Sequence, residues 1–293
     1  MALEDTDVFT RLERFYDSVP RDATVTEDIG EFVLFIREGA GWPYYARPRV
    51  GGETPSAADV TAVRARQREL GVPEAFEWVH ETTPDLLAIA RSAGLEVLLA
   101  PLMVLDRAAL VPDLPVVGAA IRFLDPALPG FAADIAASRA VAHLGFGAPT
   151  SATGAAPTTD RAGDLAKEPA DPAQRDAFPD PAEDVIADQT RRHASGRFFS
   201  AVVESPAEGI IASGSVQRVG GVAEVAGVAT LPSARRRGYA SQLTASLARR
   251  ALEAGDDLVF LSAGDDDTAR LYSRVGFRRI GTACIAAPAV APV

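Results

Sequence analysis

Hydrophobic and polar positions follow two different periods along this chain, and the changes of period mark its elements. In the first half, EFVLFIRE (residues 31–38) and LEVLLAPLMVL (95–105) are apolar runs of strand length. Between them SAADVTAVRARQREL (56–70) and TPDLLAIARSAG (83–94) carry helical spacing, with Ser56 at the N-cap of the first and Gly94 closing the second. VVGAAIRFLDP (116–126) predicts a strand and PGFAADIAASRAVAHLGF (129–146) a helix. Another helix is predicted over 182–196. RFFSAVVES, GIIASGSVQRV and VAEVAGVATL follow as three β-rich runs separated by turn signals at SPAEG and GG, a hairpin meander. A helix from about 236 to 254, a strand over 257–264, a short helix over 266–275 and a strand over 277–287 complete the chain. This order of types predicts a mixed α/β domain from residue 116 onward.

Between residues 147 and 181 the chain is dense in Ala, Pro, Thr, Gly and Asp and has no apolar period, which predicts a long exposed loop. The length of 293 residues has room for about two domains at roughly 100–200 residues each. The division expected is 1–115 and 116–293, with the long loop inside the second. A balance of 29 basic to 40 acidic side chains, net charge -11, makes nucleic acid an unfavourable main partner. The single cysteine, Cys284, and the scattered His80, His143 and His193 form no metal-ligand spacing, so no metal is expected. The first residues, MALEDTDVFTRLERF, are acidic and amphipathic, and no apolar run approaches about 18 residues. The expectation is a cytoplasmic protein with no membrane span.

The chemistry is concentrated in VATLPSARRRGYASQLTASLARRAL (228–252), which joins a strand to a helix through Arg235, Arg236, Arg237, Gly238, Tyr239 and Ala240. A glycine there lets backbone approach an anion, and the amides of the helix's first turn point at it with the favourable end of the dipole. The pattern is a candidate phosphate seat. The alternative is an arginine run serving as a solvated helix cap.

This segment resembles the GNAT superfamily of acyl-CoA-dependent N-acetyltransferases. The family's pyrophosphate signature Q/R-x-x-G-x-G/A is matched by Arg235, Gly238 and Ala240, and a second motif, which ends Y-x-x-x-G-F, by Tyr272, Gly276 and Phe277, with Ala269 before them, in DDTARLYSRVGF. The resemblance covers about 116–287 and implies a GNAT-like α/β (α+β) mixed sheet with acetyl-CoA as co-substrate. It implies that backbone groups of Val228 and Thr230 hold the pantetheine arm, and that Arg235 to Ser241 hold the pyrophosphate. Asp266 stands where the family has an Asn-like residue, and a carboxylate cannot donate the amide's hydrogen bond.

Tyr272 matches the family tyrosine that protonates departing coenzyme A; the alternative is an amphipathic-helix tyrosine with a buried ring. Glu224 is the candidate base, because some members carry a glutamate six residues before the position of Thr230. Strand alternation would place Glu224, Ala226, Val228 and Thr230 on one face. The alternative is a solvated strand-edge carboxylate. Glu204 and Glu208 are weaker candidates, and His193 reads as a helix C-terminal cap. Cys284 lies beyond both motifs, which argues against an acyl-enzyme.

Residues 1–115 lack the phosphate signature and resemble the degenerate N-terminal half of two-part GNAT proteins. There Trp42, Tyr44 and Tyr45 could wall an acceptor pocket and Glu77 or Glu81 attract its ammonium, while the favoured reading of Trp42, Phe76 and Trp78 is core or inter-domain packing, because large aromatics are usually buried. The function implied is transfer of an acetyl group to a primary amine of a small molecule or peptide by direct attack in a ternary complex, in a monomer or homodimer. A non-catalytic acyl-CoA sensor or interaction protein is the rival.

Overall fold

The computed structural model describes residues 5–39, 41, 43–113, 115–147 and 170–289. The chain opens with α1 (Asp5–Arg21), β1 (Thr24–Ile29), β2 (Phe32–Arg37) and β3 (Arg47–Pro48), then α2 (Ala57–Glu69), β4 (Phe76–Val79), α3 (Leu86–Ser92) and β5 (Leu95–Leu105). It continues with β6 (Ala120–Phe123), α4 (Phe131–Phe146), α5 (Pro172–Asp176), α6 (Glu183–Ala194), β7 (Phe198–Ser205), β8 (Gly209–Val219) and β9 (Val222–Thr230). Last come α7 (Tyr239–Glu253), β10 (Leu258–Ser262), α8 (Asp266–Val275) and β11 (Phe277–Pro288).

The local chemistry explains most boundaries. Ser56 caps α2 by a reciprocal pair: its hydroxyl accepts from the Asp59 amide at 3.2 Å, and the Asp59 carboxylate accepts from the Ser56 amide at 2.8 Å. The third helix is shorter than expected because residues 83–85 form a turn before Leu86. The strand expected over 116–126 narrows to β6, and the helix expected from 236 begins only at Tyr239, after two left-handed residues. Within the expected loop, α5 carries its own capping box between Asp171 and Gln174. Residues 148–169 of that loop, and 290–293 of the C-terminal end, lie outside the described residues.

β1, β2 and β3 form a small antiparallel sheet, and the other eight strands form one mixed sheet in the order β4-β11-β5-β10-β9-β8-β7-β6. β5 is inserted between β10 and β11, antiparallel to both, so the sheet runs without a break across residue 115. β9 and β10 form its parallel pair. A bridge from Ala46 to Phe76 ties the small sheet to β4, through bonds of 3.0 Å from the Ala46 and Glu77 amides. α7 and α4 pack on the β8–β9 region; α1 contacts β8, β9 and β4, and its Phe15 and Tyr16 stand edge-on to Phe260 at 5.1 and 5.4 Å. Trp78 and Phe76 are fully buried with Phe32 and Leu86, in accord with their packing role. Trp42 lies outside the described residues. Among the described residues no helix is long and apolar enough to cross a membrane.

Leu102, at 0% exposure in β5, packs beneath α1. Leu102→Ala is expected to cost about 2–5 kcal/mol by denaturant unfolding. Because β5, from the first half of the chain, pairs with β10 and β11 of the second, Trp fluorescence and far-UV dichroism should report one coincident transition. Two separated transitions would contradict this account of the sheet.

Candidate active site

The site begins where the parallel pair parts. β9 and β10 pair only through Val222↔Leu258, Ala223↔Val259 and Glu224↔Phe260, after which β9 keeps its partner β8 and leaves β10. The β10 side of Val225–Thr230 is therefore an open strand edge. The Leu231 amide donates to the Ile211 carbonyl at 2.9 Å, toward β8, so alternation directs the backbone groups of Val228 and Thr230 to the open side. An opening at the carboxyl ends of diverging parallel strands is where mixed and parallel sheets bind ligands.

The expected run of Glu224, Ala226, Val228 and Thr230 on one face does not hold. Ser215 pairs with Ala226 and Ser213 with Ala229, so Gly227 and Val228 together oppose Gly214 in a β-bulge. Gly227 takes the left-handed φ of +64° that such a bulge demands. The phase shifts by one residue. Glu224, Ala226 and Ala229 share a face, while Val228 turns to the other face beside Leu247 and Leu243 of α7. The role open to Val228 and Thr230 is that of their backbone.

Glu224 is half-buried, reached by solvent yet hemmed in, among residues of the first hundred positions. Burial pushes its carboxyl up to about 8, with the charge of Glu77 adding to the shift and Arg47 opposing it. Arg47 follows the bridge at Ala46, which places its guanidinium against Glu77. The same guanidinium lies 3.6 Å from Glu13 and 4.0 Å from the centroid of the Tyr16 ring. Burial opposes the Arg47 charge, but Glu77 and Glu13 hold it above the ordinary range. Glu77 is itself raised, first by burial and then by Glu13. Thus Glu224, Glu77, Glu13, Arg47 and Tyr16 converge from β9, β4, α1 and β3. Of these only Glu224 and Glu77 stand out in the sequence. Glu81 lies apart, accepting the Thr282 amide at 3.0 Å.

The residues of the expected phosphate seat lie in a strand-to-helix turn. Arg236 has φ +64° and Gly238, the N-cap of α7, φ +83°; no side chain caps the first turn, and the space a Cβ on Gly238 would fill is open. The amides of Tyr239, Ala240 and Ser241 begin this helix. Arg235 donates to the Gly145 carbonyl, and Arg237 donates to Glu208 at 2.8 Å and to the Ser233 carbonyl at 3.1 Å. Arg236 makes no ion pair or hydrogen bond among the described residues and is exposed. Tyr239 is buried, its hydroxyl donating to the Val117 carbonyl at 3.3 Å, so only its backbone faces the seat.

Tyr272 is buried on α8, 6.3 Å from Phe277, and burial pushes its phenol up to about 12. It is not among the Glu224 neighbours. Asp266, exposed at the start of α8, lies 3.4 Å from Arg279, and the Thr268 amide is taken by Asp265 at 2.7 Å. Glu204 pairs with Arg122 at 2.9 Å. His193 is buried between Phe131 and Phe198, Nδ1 against the Gln189 carbonyl and Nε2 against Ser200, so it packs the core rather than capping α6. The Cys284 thiol is fully buried and pushed up to about 12, first by burial and then by Glu81. A cleft of about 500 Å³ lies elsewhere, between Arg21, Arg197 and Arg218, whose partners are Asp17, Asp22 and Asp256. It contains none of the motif residues.

Residues 203–286, from β7 to β11, match the family model described as FR47-like protein. The chain is similar in structure to a GCN5-related N-acetyltransferase from Kribbella flavida, at 20% identity and TM-score 0.68, over 97% of this chain and 96% of that one. It is similar to a tandem GNAT protein from the clavulanic acid biosynthesis pathway, at 14% identity and TM-score 0.51, over 88% and 78%. A GCN5-related N-acetyltransferase-like protein from Streptococcus suis aligns at 12% identity and TM-score 0.51, over 97% and 99%. At these identities the likeness is one of fold. No curated protein sequence matches the chain.

A carboxyl raised to about 8 from an unfolded value near about 4.3 binds a proton in the native state that the unfolded chain has lost. Stability therefore falls as pH rises through that window, by at most about 1.4 kcal/mol per pH unit, and levels off above it. Glu224→Gln should flatten the decline between pH 5 and 9 in denaturant titrations. An unchanged slope would mean that Glu224 ionises normally.

Proposed function

We propose that this chain, which has the fold of the GNAT N-acetyltransferases and an FR47-like segment at residues 203–286, moves an acetyl group from acetyl-CoA to a primary amine by direct attack in a ternary complex. The observation that carries this reading is Glu224, a half-buried carboxyl raised to about 8 at the point where β9 leaves β10. A base with this pKa works near neutral pH, where an ordinary carboxylate is too weak.

In this reading the amides of Tyr239, Ala240 and Ser241, with Arg236 and the backbone of Gly238, receive the pyrophosphate; Arg235 and Arg237 stiffen the turn and add charge. The pantetheine arm lies along the open edge at Val228 and Thr230, and Asp266 flanks the entrance. The acceptor ammonium passes a proton to Glu224, and its nitrogen attacks the thioester carbonyl. A backbone N–H of the open edge stabilises the resulting oxyanion. The C–S bond then breaks, the Tyr272 hydroxyl protonates the departing thiolate, and the second proton of the attacking nitrogen passes through solvent to the tyrosinate; the phenol, held up to about 12, keeps its proton at neutral pH until the thiolate leaves. Residues 1–115 close the acceptor side, since Glu13, Tyr16, Arg47 and Glu77 surround the base.

Calorimetric titration with acetyl-CoA, alongside release of free coenzyme A over a panel of amines, tests the reading. Micromolar binding with amine-stimulated release is expected. Binding without release from any amine would favour a non-catalytic acyl-CoA sensor, and no binding would remove the proposal. Tyr272→Phe is expected to lower kcat by about a hundredfold or more while leaving acetyl-CoA affinity nearly unchanged. Gly238→Val, at a φ of +83°, is expected to abolish cofactor binding; retained binding would move the phosphate seat elsewhere.

A further inference from the structure

We propose that the acceptor site is built for an amine carrying a second cationic group, of the diamine or polyamine class, and that Glu77 from the N-terminal half selects it. This rests on the acyl-transfer reading of Glu224. Three carboxylates, those of Glu13, Glu77 and Glu224, share one guanidinium, that of Arg47. Two guanidiniums that neighbour Tyr44 have partners of their own: Arg37 with Asp188 at 3.3 Å, Arg192 with the Gln217 side chain at 3.1 Å and the face of Phe198 at 4.1 Å. The cluster thus has up to two negative charges more than its own cation neutralises.

Arg47 keeps only 5% of its side-chain exposure, whereas Glu77 keeps 18% and Glu224 and Tyr45 are half-buried. The carboxylates face the solvent-reached side and the guanidinium lies behind them.

Tyr16 is 7% exposed, and its hydroxyl lies beside that of Ser262 and within the fields of Glu77 and Glu224; beyond that mutual contact neither oxygen has a hydrogen-bond partner. A buried hydroxyl pair with only each other for partners keeps lone pairs unused, and these lie in the field of the same carboxylates. All the unsatisfied charge and both hydroxyl lone pairs suit N–H donors. A diamine meets the set with the reacting nitrogen at Glu224 and the second ammonium at Glu77. Arg47 acts as a positioning residue, holding Glu77 and Glu13 together over the Tyr16 ring.

Three acceptors with the same four-carbon spacer test this on the full chain: 1-aminobutane, 1,4-diaminobutane and 4-aminobutanoate, by calorimetric binding and by acetyl transfer. The diamine is expected to bind at least about tenfold more tightly than the monoamine, as a charge-assisted contact implies, with the amino acid weakest. Glu77→Gln is expected to bring the diamine-to-monoamine ratio close to one, and Glu77→Asp to restore most of it. Equal binding of the three by the wild-type protein, preference for 4-aminobutanoate, or a ratio unmoved in a folded Glu77→Gln variant would overturn the proposal. The two readings fail separately: diamine-selective binding without coenzyme A release removes the acyl-transfer reading alone, and equal transfer to both amines removes the diamine proposal alone.

Discussion

The site depends on the early parting of β9 from β10. Their parallel pairing ends at Glu224, and from that residue onward one strand edge has no partner in the sheet. Free backbone groups of this kind are costly unless water or a ligand takes them. The sheet tolerates the gap because β5 holds β10 from the other side and β8 holds β9. The bulge at Gly227 adds a second device, turning Val228 toward α7 while leaving the backbone of that stretch aligned with the opening. The turn into α7 then sets uncapped helix amides at the mouth of the same gap.

Placing Glu224 at that gap would give an ordinary carboxylate if it faced water. The first hundred residues change its surroundings. α1 lays Phe15 and Tyr16 over Phe260, the strand neighbour of Glu224, and the bridge at Ala46 delivers Arg47 and Glu77 to the same place. Burial raises the base, Glu77 raises it further, and Arg47 keeps the shift within a range useful at neutral pH. The N-terminal half therefore contributes two strands of the sheet, β4 and β5, and the electrostatic environment of the candidate base.

What could be read from the sequence divides along the same line. The meander of β7 to β9, the full length of β5 and the short α8 follow from local period, capping and turn chemistry. The motif residues at the α7 start and on α8 are contiguous, so their spacing is visible in one dimension. The insertion of β5 between β10 and β11 is not, because it pairs residues more than 150 positions apart. β4 is four residues long and exists as a strand because β11 offers it an edge. The cluster of Glu13, Arg47, Glu77 and Glu224 has no motif, since its members come from α1, β3, β4 and β9. The glycine at 227 inside an otherwise regular strand was the available cue to the bulge that breaks the alternation.

The pH dependence of kcat/KM for amine-dependent coenzyme A release, measured from pH 6 to 10 with acetyl-CoA, tests the central claim most directly. The account predicts a limb rising with an apparent pKa near the value of about 8 held by Glu224 and missing from the Glu224→Gln enzyme. The same limb in both enzymes, or full activity already at pH 6, would contradict it.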